Sequence, residues 1–384
     1  MNGASWAWVS APFAHWRALA RLLVKTAVWF VALNLLFALL NPLPVLGRVT
    51  LYNGLFPGRE RLPYGETPAV YNLSLDNLNA MFASHILSQP KASDEFRIIA
   101  IGDSSVWGTL LRNDETLAGL LDAAGLSLDG RTVRVYNAGY PTMSLAKDLL
   151  MLDRAMQYAP DLILWPVTME SMPVEDQLDA PIVRRSPEAM RAVIDAYGLT
   201  SIAPDDPRFI DPTFLERTIV GARRPLADLA RLQMFGIAWA GTGIDQVYPD
   251  YTPRTNDLEP DESWHGRTPD ALLTAADLAF DVLDAGRALA GAIPVLLVNE
   301  PIFRADGANS DLRYNAWYPR WAYDQYRVLL ADYAATNDVL LLDLWDTVPP
   351  AEFTDSPVHL TPAGAAQMAD AVTAWLQSLA AREH

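Results

Sequence analysis

Five compact apolar runs punctuate the chain: Phe96–Ile101, Val133–Tyr136, Leu162–Val167, Ile293–Val298 and Val339–Leu344. Each is short and lacks a sustained polar–apolar alternation, the pattern of a strand buried on both faces. Between them lie longer stretches with apolar residues at helical spacing: Thr116–Ala124, Leu145–Tyr158, Pro269–Ala290 and Trp321–Thr336. Strands alternating with helices predict right-handed crossovers and an α/β domain, a mainly parallel five-stranded sheet with helices on both faces. In such sheets a ligand site lies at the carboxyl ends of the strands.

Two regions fall outside that rhythm. The run Thr26–Leu46, TAVWFVALNLLFALLNPLPVL, carries no charge and is about the length that crosses roughly 30 Å of hydrocarbon. Arg17, Arg21 and Lys25 precede it, and the positive-inside tendency keeps that end in the cytoplasm. We therefore expect a cytoplasmic segment 1–25, a transmembrane anchor 26–46 and an extracytoplasmic remainder, with a cleaved signal peptide and a buried helix as the alternatives. Trp29 and Tyr52 fit interfacial anchors. Residues 47–94, rich in Pro, Gly and Asn, read as a stalk ahead of the domain 95–384.

The second region separates the third and fourth strands. Residues 170–273 are too many for a simple connection and read as a cap over the site. Their apolar part, Leu229–Ala240, is expected to be an amphipathic core helix, with a helix grazing the bilayer as the alternative.

Composition narrows the chemistry. Of 384 residues 51% are hydrophobic and 20% charged, which suits a packed fold rather than a solvated coil. The formal net charge of -17 repels a phosphate backbone, so no nucleic-acid partner is expected. The absence of cysteine removes thiolate nucleophiles, thiolate metal ligands and disulfides together. No two histidines stand at ligand spacing, and neither a metal nor a cofactor is expected.

Ile99-Ala-Ile-Gly-Asp-Ser-Ser-Val-Trp-Gly108 carries the strongest local signal, because a strand ends in Gly102 and leads through Asp103 into Ser104. A helix starting there leaves backbone N–H groups unpaired beside the serine, ready for an oxyanion. A serine nucleophile needs a base within hydrogen-bond reach. Of five histidines, His15 precedes the apolar run, His384 is terminal and His85 falls in the stalk. His265 reads as an insertion-loop residue, which leaves His359, in a loop before a helix start at Thr361-Pro362. An acid is needed to hold the imidazole tautomer. Asp355, four residues before His359, is the first candidate, with Asp343 and Asp346 as alternatives.

Gly102-Asp103-Ser104-Ser105, Asn137-Ala138-Gly139-Tyr140 and the Asp355–His359 stretch with its trailing HLTPAG resemble three blocks of the SGNH (GDSL-like) serine hydrolases. The resemblance covers residues 95–379 without the insertion and implies a flavodoxin-like fold. It further implies that Ser104 attacks an acyl ester, His359 takes its proton and Asp355 supports His359. The oxyanion would lie against the N–H groups of Ser104 and Gly139, with Gly102, Asp103 and Asn137 shaping the turns. Family members act on acyl esters of sugars, lipids and small alcohols, and some transfer the acyl group. The resemblance thus implies an esterase or O-acyl transferase acting on an envelope glycan or lipid, or else an accessory domain of a membrane acyltransferase. Two features depart from the pattern. The family's third block, Gly-x-Asn-Asp, is replaced by Trp165-Pro-Val-Thr-Met-Glu-Ser171, so that Thr168 or Ser171 must stand in for the asparagine donor, with Glu170 in its nominal place. The acid also stands one residue farther from its histidine than usual, Ser356 holding the customary position.

Overall fold

The computed structural model describes residues 16–51, 53, 58–65 and 71–382. His15, Tyr52 and His384 lie outside them, as do parts of the expected cytoplasmic and stalk segments. Helix α1, Trp16–Leu40, opens the described chain, and a single turn Leu43–Leu46 follows it. Helix α2 is Leu78–Ser84, and α3, Ser104–Trp107, comes directly after strand β1, Glu95–Ala100. The remaining helices of seven residues or more are α4 Leu117–Ala123, α5 Leu145–Ala155, α6 Pro187–Tyr197, α7 Arg223–Thr242, α8 Phe280–Ala290, α9 Arg320–Thr336 and α10 Pro362–Arg382. The other strands are β2 Ser127–Leu128, β3 Arg131–Asn137, β4 Leu162–Val167, β5 Val295–Asn299 and β6 Leu340–Asp343.

Six strands form one sheet in the order β2-β3-β1-β4-β5-β6. All five expected strands are present and parallel, but β2 pairs antiparallel with β3, so the sheet is mixed and has six strands rather than five. Two residues are too few to display a period. The hairpin's mark in the sequence is Asp129-Gly130, both with positive φ (51° and 71°), the backbone that a tight two-residue turn requires.

Alternate side chains of the central strands enter opposite layers. Ile98, Ala100, Leu162, Leu164, Leu296 and Val298 pack with α4 and α10. Ile99, Ile163, Trp165 and Leu297 pack with α5, α6, α8 and α9. Nearly continuous apolar strands follow from this, since neither face meets water, and the buried exceptions Glu95 and Arg97 of β1 pair with each other.

Three further expectations change. Residues 58–65 and 71–94 are not a free stalk, because Leu62, Leu78, Met81, Phe82 and Leu87 lie inside the larger core layer. The helix expected over Pro269–Ala290 begins only at Phe280. Ahead of it, Thr274 and Asp277 cap a separate turn, and Pro173 bridges to Leu278. The segment Leu229–Ala240 is an amphipathic helix within the longer α7, but it gives the core only one narrow stripe, Leu232 and Trp239 with Gly236 between them. Among the described residues α1 alone is long and apolar enough to cross a membrane, with mean hydropathy 2.1 in its most apolar window.

Candidate active site

Strand β1 ends at the sheet's carboxyl edge, where Gly102 adopts φ +151°, and a Cβ there would stand 2.5 Å from Val106 Cγ2. Asp103 caps α3, its carboxylate accepting the Ser105 N–H at 2.8 Å. Ser104 is the first residue of that helix, where no intrahelical carbonyl reaches its N–H.

The loop after β6 comes back to the same edge. His359 Nε2 lies 2.8 Å from Ser104 Oγ, and His359 Nδ1 lies 2.9 Å from Asp355 Oδ1. Burial pushes the Asp355 carboxyl up, but the His359 ring and the Thr354 hydroxyl outweigh it and hold the group below the usual carboxylate range. Of the alternative acids, Asp343 has its carboxylate engaged elsewhere, and no bond joins Asp346 to the His359 ring. Asp343 receives Asn299 Nδ2 at 2.8 Å and Arg327 Nη2 at 2.7 Å, and the Asp346 carbonyl accepts from Arg304.

The loop after β3 packs against α3. A Cβ on Gly139 would stand 2.6 Å from the Trp107 nitrogen, so only glycine allows this approach. Asn137 braces the loop, donating to the Val106 carbonyl at 2.8 Å and accepting the Gly139 N–H at 3.1 Å. His85 supports it from below, with Nε2 on the Asn137 carbonyl and Nδ1 accepting the Leu87 N–H, both at 2.9 Å. Full burial lowers the His85 pKa to about 4, so the ring is neutral.

The loop after β4 is where the sequence departs most from the family pattern. Thr168 is buried with its hydroxyl 2.7 Å from the Tyr318 hydroxyl, which also accepts the Glu170 N–H at 3.2 Å. Ser171 donates back to the Thr168 carbonyl at 2.7 Å. Glu170 lies 3.1 Å from His265, whose other ring nitrogen lies 3.1 Å from Asp176. The Glu170 hydrogen bond raises the His265 pKa, helped by the neighbouring charges of Asp176 and Glu175. His265 thereby ties the end of the insertion back to its start beside β4.

A buried charged network under the Gly102–Ser104 turn was not expected from the sequence. Lys147 donates to the Gly102 carbonyl at 2.7 Å and pairs with Asp148, which also receives Trp165 Nε1–H at 3.2 Å. Burial raises the Asp148 pKa to about 6 despite the Lys147 charge. Glu300 accepts the Ser105 hydroxyl, and burial together with the Asp103 charge pushes its carboxyl well up. Lys147-Asp148 interrupting an apolar helix, and Glu300 directly after a buried strand, were the available signals.

The described residues hold no cluster of three or more His, Asp or Glu side chains suited to a metal. A pocket beside Ser105, lined by Val106, Glu300, Val358 and Leu360, has a volume of about 20 Å³. That is far below the few hundred Å³ typical of a small-molecule pocket.

No family model and no curated protein matches the sequence. Solved structures do. A member of the lipolytic G-D-S-L family from Veillonella parvula aligns at 12% identity and TM-score 0.35, covering 72% of this chain and 96% of that one. A carbohydrate acetylesterase family member from Sinorhizobium meliloti aligns at 14% identity and TM-score 0.32, covering 74% and 99%. At that distance these are likenesses: the chain is similar to solved structures of G-D-S-L lipolytic proteins and of carbohydrate acetylesterases.

Proposed function

We propose that this chain is a serine esterase or O-acyl transferase, held at the membrane by α1 with its catalytic domain outside, acting on acyl esters of an envelope glycan or lipid. One observation carries the reading: a continuous path from Ser104 Oγ to His359 Nε2 at 2.8 Å and from His359 Nδ1 to Asp355 at 2.9 Å. His359 Nε2 accepts the hydroxyl proton as Ser104 Oγ bonds to the ester carbonyl carbon. The Ser104 N–H, and the Gly139 N–H on leaving Asn137, receive the oxyanion. Asp355 accepts the Nδ1–H and stabilises the imidazolium. His359 returns the proton to the departing alcohol, which leaves an acyl-serine. Water completes hydrolysis, whereas a second alcohol completes transfer. Residues Arg17, Arg21 and Lys25 ahead of the apolar segment support a cytoplasmic N-terminus.

The test is hydrolysis of p-nitrophenyl acetate by the full-length protein in detergent, beside Ser104→Ala. The wild type is expected to turn over and the variant to lose at least about 10²-fold, since the nucleophile is gone. Equal turnover rejects the proposal.

A second reading is a weakly catalytic or accessory domain that binds a glycan or assists a membrane acyltransferase. It is favoured by the loop after β4, which offers no asparagine and whose Thr168 and Glu170 already bond Tyr318 and His265. One lost oxyanion donor lowers kcat by about 10²–10³. A fluorophosphonate probe separates the readings, because rapid labelling at Ser104 requires an activated hydroxyl.

A further inference from the structure

We propose that the cap's middle segment, residues 213–242, is a second membrane contact that embeds its apolar face in the leaflet on the domain's side of the bilayer, against α1. The inference rests on α1 spanning the membrane, as proposed above.

Asn34 is the pivot. It lies within α1 yet is 8% exposed, whereas its neighbours Leu33 and Leu35 are 51% and 45% exposed. Its side-chain oxygen accepts the Val220 N–H at 3.1 Å, and its amide donates to the Phe30 carbonyl at 2.9 Å. Ala38, one turn further on, is buried on the same stripe. The cap therefore packs against α1 along a narrow seam, and among the described residues most of that helix stays uncovered. Asn34 stands six residues before the helix end at Leu40, about 9 Å along the axis at about 1.5 Å per residue. With the membrane surface at Leu40, where the helix ends, that is the roughly 5–10 Å to which interfacial elements bury their apolar faces.

Around the seam the cap is apolar on its outside. Leu215 and Val220 flank it, and beyond Gln233 helix α7 turns Met234, Phe235 and Ile237 outward, with Met234 68% exposed. In water such a patch is unfavourable. A second tie, from the Leu51 N–H to Gln233 Oε1 at 2.8 Å, fastens α7 to the chain leaving α1. The patch is thus continuous with the surface that α1 would turn to lipid, which favours lipid over a separate protein as its occupant. Charge agrees: within 213–242 four arginines (Arg217, Arg223, Arg224, Arg231) stand against Glu216 and Asp228, in a chain of net charge -17. Basic side chains at the edge of an apolar face attract anionic headgroups, and their long stems reach them from below.

The chain has no cysteine, so a single introduced one takes a fluorophore uniquely. Full-length Leu215→Cys, Met234→Cys and Ile237→Cys proteins would be labelled with an environment-sensitive dye. They would then be reconstituted into vesicles of phosphatidylethanolamine and phosphatidylglycerol. Leu36→Cys in α1 and Val328→Cys on α9 serve as references. Labels at 215, 234 and 237 are expected to be quenched by nitroxide-bearing lipid at least roughly threefold more than the label at 328, the contrast between acyl region and bulk water. Quenching at 36 but not at 215, 234 and 237 overturns the second contact and leaves the anchor standing. Loss of quenching at 36 as well overturns both. Shielding of 234 and 237 from aqueous iodide without lipid quenching assigns the face to a protein partner and likewise overturns the proposal.

Discussion

At the scale of single residues the proposed triad turns on which acid serves His359. Spacing left three aspartates open, and Asp355 is the one within 2.9 Å of the ring. Asp355→Asn is expected to leave the fold intact and lower kcat by about 10²–10⁴, because the wrong tautomer is then favoured. Asp343→Asn should reduce stability through Arg327 and leave kcat near wild type. Steady-state kinetics with denaturant unfolding on both variants checks the assignment. Ser104 and His359 were legible because a strand–turn–serine and a loop before a helix are local patterns. Lys147, Asp148 and Glu300 were not, because a buried charge is written with the same letters as an exposed one. His85 shows the same limit, and its burial has a pH consequence. Its folded pKa of about 4 lies below the ordinary 6.5, so between those values the unfolded chain takes up a proton that the folded chain refuses. Stability from this group is therefore full above 6.5 and lost as pH falls towards 4. Asp148 and Glu300 titrate with the opposite sign in part of that range, so the difference between two proteins is the clean measure. From pH 7 to pH 5 the wild type is expected to lose roughly 2 kcal/mol more than His85→Gln in urea unfolding.

At the scale of elements, the site depends on how closely α3 and the loop after β3 approach. Gly139→Ala puts a methyl 2.6 Å from a backbone nitrogen, and neither partner is a flexible side chain. Thermal unfolding should show a loss of about 1–3 kcal/mol, the usual effect of overpacking. The ester assay should fall further than stability alone accounts for, since the moved loop carries the Gly139 N–H. The three central strands β1, β4 and β5 were readable because burial on both faces leaves nearly unbroken apolar runs, whereas β3 alternates between buried and exposed positions and β6 is only half-buried. Helix α7 was not, because an outward Met234 or Ile237 and an inward Leu232 look alike in the sequence, and only the neighbours decide which side meets protein. The loop after β4 was legible as a departure from the family pattern, but its partners Tyr318 and His265 lie far along the chain and left no local trace.

At the scale of the whole molecule, the question is where the folding unit begins. Proline, glycine and asparagine between residues 47 and 94 resemble a linker, yet these residues interleave with Leu62, Leu78, Met81, Phe82 and Leu87, all buried. Arg61 adds a polar tie, stacking 4.4 Å over Trp107 and donating to the Gly108 carbonyl at 2.9 Å, at the end of the helix that carries Ser104. Truncating a single buried Leu, Met or Phe costs about 2–5 kcal/mol. Several removed together exceed the roughly 5–15 kcal/mol of net stability that a domain has in all. A chain starting at residue 95 is therefore expected to be insoluble or to lack a cooperative transition, although it keeps every strand together with Ser104, His359 and Asp355. A chain starting at residue 48 keeps those core residues and loses α1 with the turn Leu43–Leu46, whose carbonyls accept from Asn77 and Asn79, so in detergent it should retain a single thermal transition by circular dichroism and react with the fluorophosphonate probe. A matching transition in the shorter chain would show that the segment is a tether after all, and that the active-site edge stands without Arg61 and His85 beneath it.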